Sequence, residues 1–231
     1  ENGNPMWKDC FKNGKKDGLS TAYQRNGKMS NESHYKNGEL DGISRSYFEN
    51  GKLRNEYTWK QGNITGSVKE YYENGVLKRQ STLENDQLDG LTTWYYSNGN
   101  MDMEFDYKNG KRDGIVKRYN YGGVLETETN YKNDARDGML RDFTRKGIIR
   151  EETNYVNGKR EGTSKLYDDD NGRLSKEINY VNDEREGACK YYDTARNRLE
   201  KEEIYANGEL TKTKYYNSKG QVSHEEASER E

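Results

Sequence analysis

Aromatic and apolar positions recur along the chain at a fixed distance. Phe11, Tyr35, Trp59, Leu83, Tyr107, Tyr131 and Tyr155 stand 24 residues apart, and Tyr180 and Tyr205 follow at intervals of 25. Seven positions after the anchor comes a glycine, from Gly18, Gly42, Gly66 and Gly90 through to Gly187. Twelve positions after it comes a second aromatic: Tyr23, Tyr47, Tyr71, Tyr95, Tyr119, Phe143, Tyr167 and Tyr192. Another glycine follows at Gly27, Gly51, Gly75, Gly99, Gly123 and Gly147, with an apolar residue such as Leu53 or Leu77 two positions on. Self-similarity at this period identifies a repeat array.

Two turn signals per copy, separated by alternating segments, predict two antiparallel strands per repeat. The fold class is therefore all-β: an elongated single-layer antiparallel sheet of tandem β-hairpin repeats, an open solenoid-like meander roughly 80 Å long. In the turn Phe48-Glu49-Asn50-Gly51-Lys52-Leu53, a three-residue loop with a left-handed glycine sets Tyr47 opposite Leu53, whereas a two-residue turn would separate their faces. Parity then collects the anchor aromatic, Ile43, Tyr47 and Leu53 on one face and Ser44, Ser46 and Glu56 on the other. Residues 1–10 read as a partial repeat, 11–220 as about nine copies, and 221–231 as a polar tail or cap. Glu1-Asn2-Gly3 lies 48 residues before Glu49-Asn50-Gly51, so the chain is expected to open mid-repeat, as a fragment of a longer array or a processed chain.

Composition sharpens this picture. Only 29% of the 231 residues are hydrophobic and 35% are charged, with a mean hydropathy of −1.43, so a thick core is excluded. Disorder is excluded by the regular placement of 20 Tyr and 24 Gly. A net charge of −2 provides no global field toward nucleic acid or an anionic membrane, and no apolar run is long enough for a membrane-spanning helix. Localisation stays open between a secreted or surface site and the cytoplasm.

The phrase Y-x-N-G-x-x-D/E-G, then Tyr five residues later, then N-G-x-L, resembles the bacterial variant of the MORN repeat over nearly the whole chain. That resemblance implies a non-catalytic scaffold for protein–protein interaction, of the kind found in surface or adhesion-type and toxin-neutralising proteins. The alternative it implies is a peripheral binder of anionic membrane lipids. Asp86, Asp134 and Asp183 replace the first turn glycine, a change that aspartate tolerates in a left-handed turn.

Chemistry-bearing residues mostly read as structure. No glycine-rich turn opens a helix or spells a phosphate-binding loop, and His34 and His224 have no Cys or Ser partner in the repeat frame, so no cofactor and no catalytic residue is expected. Cys10 and Cys189 lie on the order of 65 Å apart in an uncurled sheet, far beyond the ~7 Å a disulfide spans. The acidic turn Asp168-Asp169-Asp170-Asn171-Gly172 lacks the ligand spacing of a calcium loop, and no metal site is assigned. Glu32, Glu56, Glu104, Glu128 and Glu152 recur along the polar face as solubilising charges. Arg45, Lys69, Lys117, Arg141, Lys165 and Lys190 form a basic row that either packs its stems over tyrosine rings or lines a trough for phosphates, glycans or RNA.

One feature is not required by the repeat. Phe48, Tyr72 and Tyr96 stand thirteen positions after their anchors, where later copies have Asn120, Thr144, Asp168 and Asp193, and Trp94 joins them. Parity points all four to the polar face, away from the aromatic core. They are the candidate partner-binding stripe, suited to a flat or extended protein surface; the alternative is that they shield turns or cover long basic stems.

Overall fold

The computed structural model describes residues 6–228. No helix occurs among them, and one antiparallel sheet of 21 strands, not closed into a barrel, carries the fold. A separate two-stranded ribbon joins Phe11–Lys12 to Lys15–Lys16. The chain divides into two compact units, one running to Arg112 and including Tyr121–Gly123, the other comprising Asp113–Asn120 and the chain from Val124 onward. The expected opening turn at residues 1–3 lies outside the described residues.

Each hairpin is built by turns whose backbone demands were written locally. In the first unit, Asn37 and Gly38 take φ of 52° and 94°, the doubly left-handed geometry that lets a two-residue turn follow the strand twist. Asp86, Asp134 and Asp183 adopt φ of 65°, 70° and 76° at the equivalent position, so the substituted turns keep their shape. The alternate turn is the three-residue form: Phe48 N–H donates to Lys52 O at 2.9 Å, Gly51 has φ 90°, and Tyr47 pairs with Leu53.

The motif residues stitch copy to copy. The carboxylate of the D/E-G pair accepts a backbone N–H from the next copy's turn, as in Asn37 N to Asp17 at 3.1 Å, Asn109 N to Asp89 at 3.2 Å and Asn207 N to Glu186 at 2.8 Å. In the first unit the turn asparagines add a second tie. Asn50 Oδ1 accepts the Lys52 N–H at 2.8 Å while its Nδ2 donates to Glu73 O at 3.1 Å, and Asn74 and Asn98 repeat the pattern toward Ser97 and Tyr121. A single layer cannot bury much apolar area, so these hydrogen bonds carry an unusual share of the stability.

The two faces differ from the parity expectation. Beyond the Tyr47–Leu53 pair the register shifts, so Ser46 faces Asn55, Arg45 faces Glu56, Ser44 faces Tyr57 and Gly42 faces Trp59. This β-bulge places one unpaired residue, Arg54, on the second strand and reverses parity there. The anchor aromatics consequently share a face with Ser44, not with Tyr47, and Glu56 joins Tyr47 and Arg45. Ile43 is 38% exposed, whereas Ser44 is 9% exposed. Glu56 and the basic row thus belong to one face and not to two.

The core is a row of small side chains on the anchor face. In the first unit Ser44, Tyr57, Val68, Ser81 and Thr92 are linked by cross-strand pairing, and Val68 and Ser81 are 1% and 0% exposed. Rings within and beside the row meet in pairs, Tyr57 with Trp59 at 6.2 Å and Phe105 with Tyr107 at 5.9 Å between centroids. In the second unit Ile178, Tyr180 and Cys189 form the buried cluster, with Leu166, Tyr191 and Tyr205 packed against it. Both cysteines are free thiols, Cys10 exposed and Cys189 buried. The final strand, Val222–Ala227, pairs with Glu209–Tyr216 and leaves all six of its residues exposed.

Candidate functional site

Phe48, Tyr72, Trp94 and Tyr96 all belong to the first unit and are all half-buried. Trp94 lies two residues from Thr92 on one strand and faces Met103 and Arg79 across it, which sets it on the anchor face beside the buried row. Phe48 and Tyr72 line one cleft with Tyr57, a member of that row. The stripe is therefore coplanar, as parity required, but its face is not the polar one: it forms the rim of the thin core. The bulge that moved the anchor aromatics across the sheet is the reason.

The cleft between Phe48 and Tyr72 has a volume of about 410 Å³, with Arg54, Lys78, Glu70 and Glu73 also in its wall. Three of the four stripe aromatics have a cation over the ring: Arg54 over Phe48 at 5.7 Å, Lys78 over Tyr72 at 5.9 Å and Arg79 over Trp94 at 5.1 Å. Arg79 is also paired with Glu70 at 2.6 Å. The Tyr72 hydroxyl donates to Tyr95 O at 2.7 Å, and burial followed by the charge of Asp102 pushes its pKa up. Tyr96 and Tyr121 meet edge to face at 5.2 Å. These aromatics thus hold neighbouring turns and basic stems while keeping part of each ring at the surface.

Arg54 and Lys78 escaped the sequence reading. They are the bulge residues of successive copies, and their signal was available in the repeated N-G-x-L-basic spelling of Leu53-Arg54 and Leu77-Lys78.

A second cleft, of about 490 Å³, occurs in the second unit and is lined by Arg118, Glu126, Asp142, Thr144, Arg145 and Arg150. Its wall positions are those of the first cleft advanced by 72 residues, or three copies: Glu126 for Arg54, Asp142 for Glu70, Thr144 for Tyr72 and Arg150 for Lys78. There two ion pairs cross the wall, Arg118 with Glu126 at 3.3 Å and Arg150 with Asp142 at 2.6 Å. One backbone geometry therefore presents an aromatic wall of mixed charge, with Arg54 and Lys78 outside any ion pair, in one unit and a wall crossed by two ion pairs in the other.

The opposite face carries an alternating charge ladder. Arg45 bridges Glu32 and Glu56 at 3.0 and 2.7 Å, and Arg141 bridges Glu128 and Glu152 at 3.1 Å each. The second aromatics complete it, Tyr47 donating to Glu32 at 2.9 Å and Tyr167 to Glu152 at 2.8 Å. Burial opposes ionisation of Glu32, yet hydrogen bonds from Arg45 and Tyr47 outweigh it and hold the pKa below the usual carboxylate value. For Glu152 the Tyr167 hydroxyl is the main cause of the lowering, with Arg141 assisting against partial burial. Burial, then the Glu152 hydrogen bond, pushes Tyr167 up to about 12. A basic row whose arginines are each bridged between two carboxylates is poorly placed to collect phosphates.

Among the described residues no group of three or more His, Cys, Asp or Glu side chains is placed to hold a metal ion. In the acidic turn, Asp168 Oδ1 caps the N–H groups of Asp170 and Asn171 at 3.1 and 3.0 Å and Oδ2 accepts from Thr194 at 3.1 Å. Its oxygens are used to shape the loop.

Comparison with known proteins gives a family and little else. No curated protein matches the sequence. A solved structure described as the crystal structure of TcdB2-TccC3-Cdc42 aligns at 13% identity and a TM-score of 0.17, covering 94% of this chain and 16% of that one. The MORN repeat variant model matches residues 16–37, 40–61, 64–85, 88–109 and 112–133, each segment running from one two-residue turn to the next. Joined to the 24-residue period and the paired turns, these five matches establish that the chain belongs to the MORN repeat variant family, a family of non-enzymatic binding and scaffold repeats.

Proposed function

We propose that the chain is a non-catalytic scaffold that binds a protein partner on the anchor face of its first unit, along Phe48, Tyr72, Trp94 and Tyr96. The observation that carries this reading is the cleft of about 410 Å³ between Phe48 and Tyr72. Partly exposed rings set in a rigid sheet lose little conformational entropy on contact, and aromatic anchors of this kind dominate interface energies. A toxin-neutralising or surface-attachment role is compatible with such a site, since both need a rigid, extended recognition surface. Peripheral membrane binding fits less well, because the basic row of the opposite face is ion-paired.

Site-specific photo-crosslinking tests the assignment in cells of the source organism. Benzoylphenylalanine in place of Phe48 is expected to trap a discrete protein adduct, while the same probe in place of Ile43, on the opposite face, traps none. Adducts formed only from Ile43, or none from Phe48, Trp94 and Tyr96 in turn, would remove the stripe as the interface. Phe48 is the preferred single site because Tyr72 also holds the Tyr95 carbonyl and Tyr96 packs on Tyr121.

A further inference from the structure

The geometry points to a polyproline II segment with an acidic residue at every third position as the occupant of the Phe48–Tyr72 cleft, an inference that rests on the protein-binding reading. It starts from spacing. Phe48 and Tyr72, and likewise Arg54 and Lys78, are one copy apart, two strands, or about 9.6 Å along the sheet. A polyproline II helix has three residues per turn and rises about 9.3 Å in that turn. The two pitches differ by roughly 0.3 Å per copy. An extended β-strand repeats its side every ~6.8 Å and an α-helix completes two turns in ~10.8 Å, so either drifts by more than 1 Å per copy against the rings.

Charge then selects the third residue. Arg54 and Lys78 lie over the rings of Phe48 and Tyr72 and make no ion pair among the described residues; of the two carboxylates in the same wall, Glu70 is taken up by Arg79 and Glu73 stands beyond Tyr72, whereas in the second unit Arg118–Glu126 and Arg150–Asp142 pair the equivalent positions. Two cations one copy apart match two carboxylates one polyproline turn apart, while the proline rings of the other edge stack between Phe48 and Tyr72. The match is bounded. The residue equivalent to Arg54 is Ser30 in the preceding copy and Asp102 in the copy after Lys78, so the complementary stretch covers two turns of ligand, about six residues.

Isothermal titration calorimetry with the whole chain provides the test, using a peptide of four Pro-Pro-Glu units. The controls are four Pro-Pro-Lys units, which keep the helix and reverse the charge, and four Gly-Ser-Glu units, which keep the charge and lose the helix. Pro-Pro-Glu is expected to bind at least about tenfold tighter than either control. Phe48→Ser should remove that preference. Arg54→Glu with Lys78→Glu should reverse it in favour of Pro-Pro-Lys, with urea unfolding of the double variant checking that the loss of the two cation–ring contacts leaves the first unit folded. Arg145→Glu in the second unit's cleft should change nothing. Equal affinity for Gly-Ser-Glu, unchanged binding in the charge-reversed variant, or no heat with Pro-Pro-Glu at about 1 mM would each overturn the inference. Should the peptide fail while photo-crosslinking from Phe48 still traps a protein, the ligand class falls and the interface stands; loss of both removes both.

Discussion

Placing a carboxylate at Val68 should collapse the first unit, and placing one at Ile43 should not. Val68 is 1% exposed between Tyr57 and Ser81, while Ile43 is 38% exposed on the other face. In Val68→Asp the lost burial of two methyl groups costs about 1.6 kcal/mol. A buried carboxyl without a full set of partners adds about 1–3 kcal/mol, and keeping it protonated at neutral pH adds about 1.4 kcal/mol for each unit its pKa must rise. The total is about 5 kcal/mol. For Ile43→Asp the new charge stays in water and only partial packing is lost, about 1 kcal/mol. The three tryptophans, Trp7, Trp59 and Trp94, all lie in the first unit, so their fluorescence during urea unfolding reads that unit alone. At roughly 1.5 kcal/mol per molar urea the midpoints should fall by about 3 M and under about 1 M respectively. Comparable shifts, or a larger one for Ile43→Asp, would show that the faces have been assigned the wrong way round.

Three further outcomes follow from the same geometry. Gly42→Ala combines a φ of 112° with a methyl carbon 3.1 Å from His34 Cβ, while Gly62→Ala has a φ of 79° and open space; thermal unfolding should show a loss of about 3 kcal/mol or more for the first and about 1–2 for the second. Asn50→Ala removes the tie to Lys52 and to Glu73 and should lower stability by about 1 kcal/mol, measured by urea unfolding. Tyr167, raised to about 12 in the folded chain from 10.0, contributes stability that is complete below pH 10 and is lost as pH climbs to 12. Glu152, held below its ordinary value, contributes stability present above the usual carboxylate range and lost as pH falls through its lowered pKa. Tyr167→Phe should therefore flatten the alkaline loss and move the Glu152 midpoint up in a carboxyl-carbon NMR titration; an unmoved midpoint would rule out the hydroxyl as its main stabiliser.

The period, both turns and the strand order were legible because a turn's backbone demand is local: Asn37-Gly38 and Gly51 need left-handed conformations whatever surrounds them. Even the pairing of Tyr47 with Leu53 followed from loop length. The faces were not legible, because the register shift between Ser46 and Tyr47 is absorbed by an ordinary-looking Arg54, and one unpaired residue inverts everything beyond it. The core was hidden for a different reason. Ser81 and Thr153 are 0% exposed, yet hydropathy treats small hydroxyl side chains as surface residues; a single sheet buries them because only small groups fit beneath rings contributed by the same layer. The cleft inherits both difficulties, since its wall combines the bulge residues Arg54 and Lys78 with rings whose face depends on the bulge.

The two clefts separate what the fold requires from what it leaves free. The acidic clamp recurs in both units, with Asp17, Asp41, Asp89 and Asp137, and Glu161 and Glu186, each holding the next turn, and each unit buries small side chains of the row, Val68 and Ser81 in the first, Thr153 and Ser164 in the second. The cleft wall does not recur. Over 72 residues Phe48 gives way to Asn120, Arg54 to Glu126, Tyr72 to Thr144 and Glu73 to Arg145, with the backbone pairing between these strands retained. Stability in this array comes from backbone-directed hydrogen bonds and a small buried row, and neither constrains the rim. The chemistry of the rim can therefore vary copy by copy at little cost to folding.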